Sequence, residues 1–271
     1  MKPLDNYETW AAKLSEENAA EIGLDIEECR MLIKELMEIP IDRSYSVLKW
    51  YVGEKWADAF RNIKADAPIE VLELASGEST HIPKVMAKHY SDSQTKYITF
   101  NLNKKLTANF KTATKDLPIT IEVVEDPAQT IDSRIGENKI DVVVFEHAIN
   151  DILQGMFAER NGIDTIDTDW YDVLPKMVEI ISSEYRGGTF EASVRNEFLA
   201  LLDSCLNVLK PNGYIVFFHH MYKMDLDFGY DAELYENMVN IVRKWVQEAG
   251  IGQEVFFDGF EPHWWMFIKK I

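Results

Sequence analysis

Cysteine is nearly absent from this chain. Only Cys29 and Cys205 occur in 271 residues, far apart and without a Cys-x-x-Cys spacing. That leaves no basis for a disulfide framework or a cysteine zinc cluster, and it suits a reducing compartment. Positive charge is also scarce: 28 Lys and Arg stand against 46 Asp and Glu, a net charge of −18. Nucleic-acid binding works by a basic surface that displaces counterions, and a field of this sign repels a polyanion, so no nucleic-acid partner is expected. No apolar run approaches the roughly 18 residues that cross a bilayer, so no membrane partner is expected either. The opening residues, MKPLDNYETWAAKLSEEN, are polar and acidic. They resemble neither a secretory signal nor a basic transit peptide, and a cytoplasmic location is expected.

What remains is a globular composition, 46% hydrophobic and 12% aromatic, long enough for one large α/β domain with a helical addition. Residues 1–66 read as a helical cap. Segment 26–39 carries apolar residues at helical spacing until Pro40 interrupts it, and 44–64 is helical and rich in aromatics. From residue 67 onward short apolar runs alternate with helical patterns. Strands are predicted at Ile69–Leu74, Lys96–Phe100, Ile119–Val124, Lys139–Phe145 and Tyr214–His219, with a closing pair at Gln253–Phe257 and Trp264–Ile268. Helices are predicted at Thr80–His89, Leu102–Thr114 and Ala232–Ala249. A long, mostly helical stretch follows the fourth strand, with an insertion at about 153–195 and a polar interval at 159–169. This alternation predicts βαβ units and a doubly wound, mostly parallel, seven-stranded sheet over 67–271. The last two strands are too close in sequence for a parallel crossover, so the final one is predicted to run antiparallel.

A doubly wound sheet that ends in one antiparallel strand resembles the class I S-adenosylmethionine (SAM)-dependent methyltransferase fold. The local strings agree over about three quarters of the chain. Glu73-Leu74-Ala75-Ser76-Gly77-Glu78-Ser79 is similar to the family's acidic-x-Gly-x-Gly-x-Gly turn, with one glycine of three kept. Leu209-Lys210-Pro211-Asn212-Gly213 resembles the family's Leu-Lys-Pro-Gly-Gly turn before strand five. The resemblance implies SAM as cofactor and S-adenosyl-L-homocysteine as product. It places Glu73, Ala75, Ser76 and Gly77 against the methionyl part. Asn101 and Leu102 fall where the family holds the ribose, although Asn101 replaces the usual acid and has the competing role of capping the next helix. Asp126, Pro127 and Ala128, with Gln129, fall where the adenine is held, and Glu146 falls at the reaction centre. Ala and Ser at glycine positions let a backbone approach a ligand but reach positive φ less cheaply.

Methyl transfer is an in-line displacement, so the protein must align the partners and remove a proton from a hydroxyl or amine acceptor. Histidine suits that task near neutral pH. His147 follows strand four, and His219 and His220 follow strand five. His147 is the leading base, with Asp151 as its orienting partner and the other two as alternates. Their spacing matches no metal motif, so no metal is expected. Tyr45 and Tyr51 of the cap, with Trp50, and Trp170, Tyr171 and Arg186 of the insertion, with Tyr185 and Phe190, are candidate substrate covers. Arg43 is a further candidate anchor for a carboxylate. The expected activity is methylation of an oxygen or nitrogen of a small molecule. A non-catalytic scaffold on the same fold and another transfer such as aminopropyl transfer stay open, as does a homodimer.

Overall fold

Helix starts are written into the first quarter of the chain. The computed structural model describes residues 2–42, 45–64 and 68–271. The expected cap boundary at 66/67 and Arg43 lie outside them. Four helices come first: α1 (Tyr7–Lys13), α2 (Glu16–Ile22), α3 (Ile26–Leu36) and α4 (Ser46–Ile63). Asn6, Ser15 and Asp25 each accept a first-turn backbone N–H, and Ser15 with Asn18 closes a capping box.

The alternating part then runs β1 (Glu70–Leu74), α5 (His81–His89), β2 (Lys96–Phe100), α6 (Lys104–Thr114), β3 (Thr120–Val124), α7 (Ile131–Ile135) and β4 (Ile140–Glu146). Three helices separate β4 from the next strand: α8 (Ile149–Arg160), α9 (Trp170–Arg186) and α10 (Phe190–Val208). The expected insertion therefore falls on α8, α9 and the first turns of α10. The chain continues through β5 (Leu209–Phe218), α11 (Lys223–Asp227), α12 (Ala232–Glu236), α13 (Met238–Ala249), β6 (Gln253–Val255) and β7 (Trp265–Lys269).

The strand order is β3-β2-β1-β4-β5-β7-β6. All neighbours are parallel except those of β7, which runs against both β5 and β6. This is the doubly wound, mostly parallel sheet with a reversed last strand that the alternation predicts. The order in which successive strands are added reverses between β1 and β4, the switch point where open α/β sheets leave a crevice at their carboxyl ends.

The central strands are buried on both faces, as parallel strands are. Leu72, Val143, Phe145, Ile215 and Phe217 point into one core with α8, α9, α10 and α13. Val71, Val142, Val144, Val216 and Phe218 point into the other, where Trp10, Ile33, Tyr51 and Trp56 of the N-terminal helices pack. The cap is thus continuous with one face of the sheet. Cys29 and Cys205 are free, buried and in separate cores. Trp264 and Trp265 are buried packing residues, and Trp264 also donates to the Pro3 carbonyl.

The turn into β5 shows why its residues are needed. Asn212 sits at φ 65, and a Cβ on Gly213 would lie 2.9 Å from the Asp141 carbonyl. Lys210 reaches across to Glu70 and Asp141, tying β5 to the start of β1 and β4. Among the described residues, no helix is long and apolar enough to cross a membrane.

Candidate active site

A cavity of about 1170 Å³ opens at the carboxyl ends of β1, β2 and β4. A single-ligand pocket holds roughly 300–1,000 Å³. Its floor starts with the turn after β1. Ala75 and Gly77 take left-handed φ of 54 and 58, and Ser79 N–H donates to the Ser76 carbonyl. Gly77 accepts this conformation freely, whereas Ala75 carries a side chain into it at a cost of about 1 kcal/mol. Non-glycine strain of this kind gathers where backbone must meet a ligand.

Most expected cofactor residues reach this space: Ala75, Ser76, Gly77, Asn101, Leu102, Asp126, Pro127, Ala128 and Glu146 all line it. Glu73 does not. Strand alternation places it on the face with Val71, buried at 1% exposure, where it accepts the Tyr97 hydroxyl at 2.5 Å. Burial, with the Glu146 carboxylate nearby, holds its carboxyl well above the usual carboxylate range. It therefore stands under the turn as a buried support. Asn101 donates its amide to the Gly77 carbonyl at 2.6 Å and so braces the turn from the end of β2. The helix cap belongs to Asn103, whose side-chain oxygen accepts Leu106 N–H. Asp126 is ion-paired with Arg134.

Part of the insertion expected to cover the substrate does border this space. Residues 161–169, between α8 and α9, lie over the cavity, with Ile163, Asp164, Thr165 and Ile166 on its wall. Asn103 holds them down by donating to the carbonyls of Thr165 and Thr168 at 2.9 and 2.8 Å. Lys104 N–H donates to the Ile166 carbonyl, and Lys104 and Lys105 pair with Asp167 and Asp169.

The histidines converge, but not equally. His147 lines the cavity at a left-handed φ of 50, with its N–H on the Phe218 carbonyl. His219 and His220 lie behind it, 1% and 0% exposed, with ring centroids 4.8 and 4.7 Å from that of His147. Neither lines the cavity, so neither is placed to act as an alternate base. Burial pushes the His219 imidazole down to about 3, and among the described residues neither of its ring nitrogens has a hydrogen-bond partner. Asp151 lines the cavity and accepts the Asn150 amide. The His147 ring bonds through Nε2 to the His220 carbonyl and to the Tyr235 hydroxyl, each at 2.9 Å. Among the described residues, no group of three His, Cys, Asp or Glu is arranged to hold a metal ion.

Trp170 and Tyr171 stand on the cavity wall at the start of α9. The other expected covers do not reach it. Tyr51 is fully buried, packs on Trp10 and donates to Asp5. Tyr45 sits at the start of α4 beside Glu35. Arg186 is exposed and turns back to the Ser182 carbonyl. From α4, Lys49 lines the cavity instead.

No family profile matches the chain, and no curated protein matches it by sequence. Among solved structures it is similar to a SAM-dependent methyltransferase from Aquifex aeolicus, with 13% identity, 90% of this chain and 98% of that one covered, and a TM-score of 0.48. It is similar to a putative rRNA-methylase from Clostridium thermocellum at 14% identity, covering 80% and 97%, with a TM-score of 0.44. It is also similar to SAM-bound CalS10, an amino pentose methyltransferase from Micromonospora echinaspora, at 14% identity, covering 60% and 48%, with a TM-score of 0.34. The match thus spans about half the length of CalS10. The strand order is the firmer ground: a β3-β2-β1-β4-β5-β7-β6 sheet with β7 alone reversed, and a cavity at its switch point, give this chain the class I SAM-dependent methyltransferase fold.

Proposed function

We propose that the chain binds SAM in this cavity and moves its methyl group to an oxygen or nitrogen of a small molecule, with His147 taking the acceptor's proton. One observation carries the reading: the β1 turn, the β2 end and Asp126–Ala128 share a single cavity with His147, and that cavity exceeds a one-ligand pocket. SAM supplies a methyl carbon activated by a positive sulfur. The residues present fit it. The open backbone at Ala75–Gly77 would meet the methionyl part. Asn101 would meet the ribose through its side-chain oxygen, since its amide nitrogen is held by Gly77. Asp126 and Ala128 would flank the adenine. Glu146 is a carboxylate at the β4 end, suited to a nearby positive charge.

The chain's own work is then alignment and one proton transfer. Trp170 and Tyr171 would hold an acceptor, and the 161–169 strap would exclude water. Among the described residues, eight carboxylates face the cavity against two lysines, Lys49 and Lys84, which favours a neutral or cationic small acceptor over a polyanion. A binding protein without turnover is the second reading. It is favoured by the strained Ala75 and by the prior engagement of Asn101 and Asp126.

Calorimetry with SAM and S-adenosyl-L-homocysteine tests the reading. Micromolar binding of both is expected. No heat of binding at high micromolar ligand overturns it. Binding of both with no methyl transfer to any member of a panel of hydroxyl and amine acceptors would favour the second reading.

A further inference from the structure

We infer that Asp225 and Tyr235 are positioning residues that act on His147 through a hydrogen-bonded chain and strengthen it as a base, while the His220 carbonyl, by holding the proton on Nε2, makes Nδ1 the proton-accepting atom. The role of this chain in turnover rests on the proposed function, but its existence and its effect on the imidazole do not.

The chemistry of the partners orders the chain. The His220 carbonyl, 2.9 Å from His147 Nε2, can only accept, so Nε2 carries a proton. The Tyr235 hydroxyl lies at the same distance from Nε2 and donates its one proton to the Asp225 carboxylate. Its oxygen therefore accepts from His147 as well. The chain reads His147 Nε2–H to Tyr235 Oη, then Tyr235 O–H to Asp225. In the neutral imidazole the lone pair is left on Nδ1.

The surroundings keep that order. Tyr235 is fully buried, and burial together with Asp225 holds its phenol well above the usual range, so it stays a donor. Asp225 is 4% exposed and borders the cavity. The ring of His147 is walled by Tyr222 at 4.4 Å, by His219 and His220, and by Tyr235 edge-on at 5.9 Å. Glu146 precedes it on the chain, and Asp151 follows on α8. The left-handed backbone of His147 turns the imidazole out of the strand line, and an arrangement strained in this way persists only where its neighbours over-determine it. Asp225 sits on a five-residue helix and Tyr235 on another, both after β5. Neither belongs to any motif legible in the sequence.

The test uses the full chain with ¹⁵N-labelled histidine, and His147 is assigned by the resonance lost in His147→Asn. The unliganded protein should show the Nε2–H tautomer. Tyr235→Phe and Asp225→Asn should each lower the His147 titration midpoint by about one pH unit, the low end of what a nearby opposite charge gives. Tyr235→Phe should keep the tautomer, because the His220 carbonyl still accepts. An Nδ1–H tautomer in the parent overturns the inference. So do unchanged midpoints in both variants, and so does a fall in Asp151→Asn with none in Asp225→Asn. Tyr235→Phe is near-isosteric, and tryptophan fluorescence confirms its fold. If these results hold while calorimetry shows no SAM binding, the proposed function fails and the chain stands.

Discussion

His219 makes the stability of this protein sensitive to acid in a way that can be isolated. Its ring is 1% exposed, stacked on His147 at an interplanar angle of 13° and edge-on to Tyr235 at 5.0 Å. Burial lowers its folded value to about 3 from an ordinary 6.5. The unfolded chain therefore binds a proton near pH 6.5 that the folded chain refuses until near pH 3. Stability from this group is complete above 6.5 and is lost steadily as pH falls toward 3. At pH 5 the gap is about 1.5 units at 1.36 kcal/mol each, so the loss is about 2 kcal/mol. The many carboxylates of the chain add their own acid sensitivity, but a variant shares it. His219→Phe keeps a flat ring in the stack and removes the titration. Urea unfolding of parent and variant at pH 7 and pH 5, read by the fluorescence of the 7 tryptophans, gives the double difference. The parent should lose about 2 kcal/mol more than the variant between the two pH values. Equal losses would refute the reasoning, because they would mean that the ring protonates in the folded state or never titrates in this range.

Other consequences are as direct. Asn103→Ala removes a helix cap and two bonds to the strap, at about 1 kcal/mol each, so amides of 163–169 should exchange at least tenfold faster and SAM binding should weaken. Gly213→Ala forces a Cβ against the Asp141 and Lys210 carbonyls and should cost about 1–3 kcal/mol in a urea melt. Glu73→Gln keeps an acceptor for Tyr97 without a buried charge. Because the folded value of Glu73 lies above its unfolded one, its contribution is present at low pH and lost as pH rises, so the variant should lose less stability than the parent between pH 5 and pH 8. Asp126→Ala should weaken SAM binding about tenfold by calorimetry, and unchanged affinity would remove the adenine assignment.

The sheet was readable because its strands are short apolar runs bounded by turn residues, and because the short link between β6 and β7 forbids a crossover. Strand ends were less exact. β5 begins at Leu209 because Leu209 itself pairs with Ile140, and Lys210–Gly213 form the irregularity before Tyr214 pairs with Val142, whereas apolarity alone begins at Tyr214. In the site, residues on the turn and strand ends were legible, since doubly wound topology sends them all to one crevice. Glu73 was misplaced because motif reading ignores which face of a strand a residue occupies. His219 and His220 were grouped with His147 by sequence position, yet only His147 turns outward, through a backbone conformation no string announces. Tyr51 read as pocket-lining and proved to be core, the commoner fate of a helical aromatic. The insertion was expected as a cover, but the hold of Asn103 on it, and the roles of Asp225 and Tyr235, lay beyond reach because the partners are far apart in the chain and carry no pattern.

Among the described residues, an isolated parallel bridge between Ile41 and Tyr222 stitches the cap to the wall of His147. Ile41 donates to the Met221 carbonyl and accepts from Lys223 N–H, on either side of Tyr222. The aromatic wall of His147 is therefore held by a segment that the chain makes long before it makes the wall. Such a contact closes a very long loop, and contacts of that kind form late and slowly. A growing chain can complete the β1 turn and the cavity-lining ends of β2 and β4 while Tyr222, Asp225 and Tyr235 are still missing. One side of the cavity is thus separable in time from the other, and the wall around His147 is complete only when the segment before α4 finds the loop after β5.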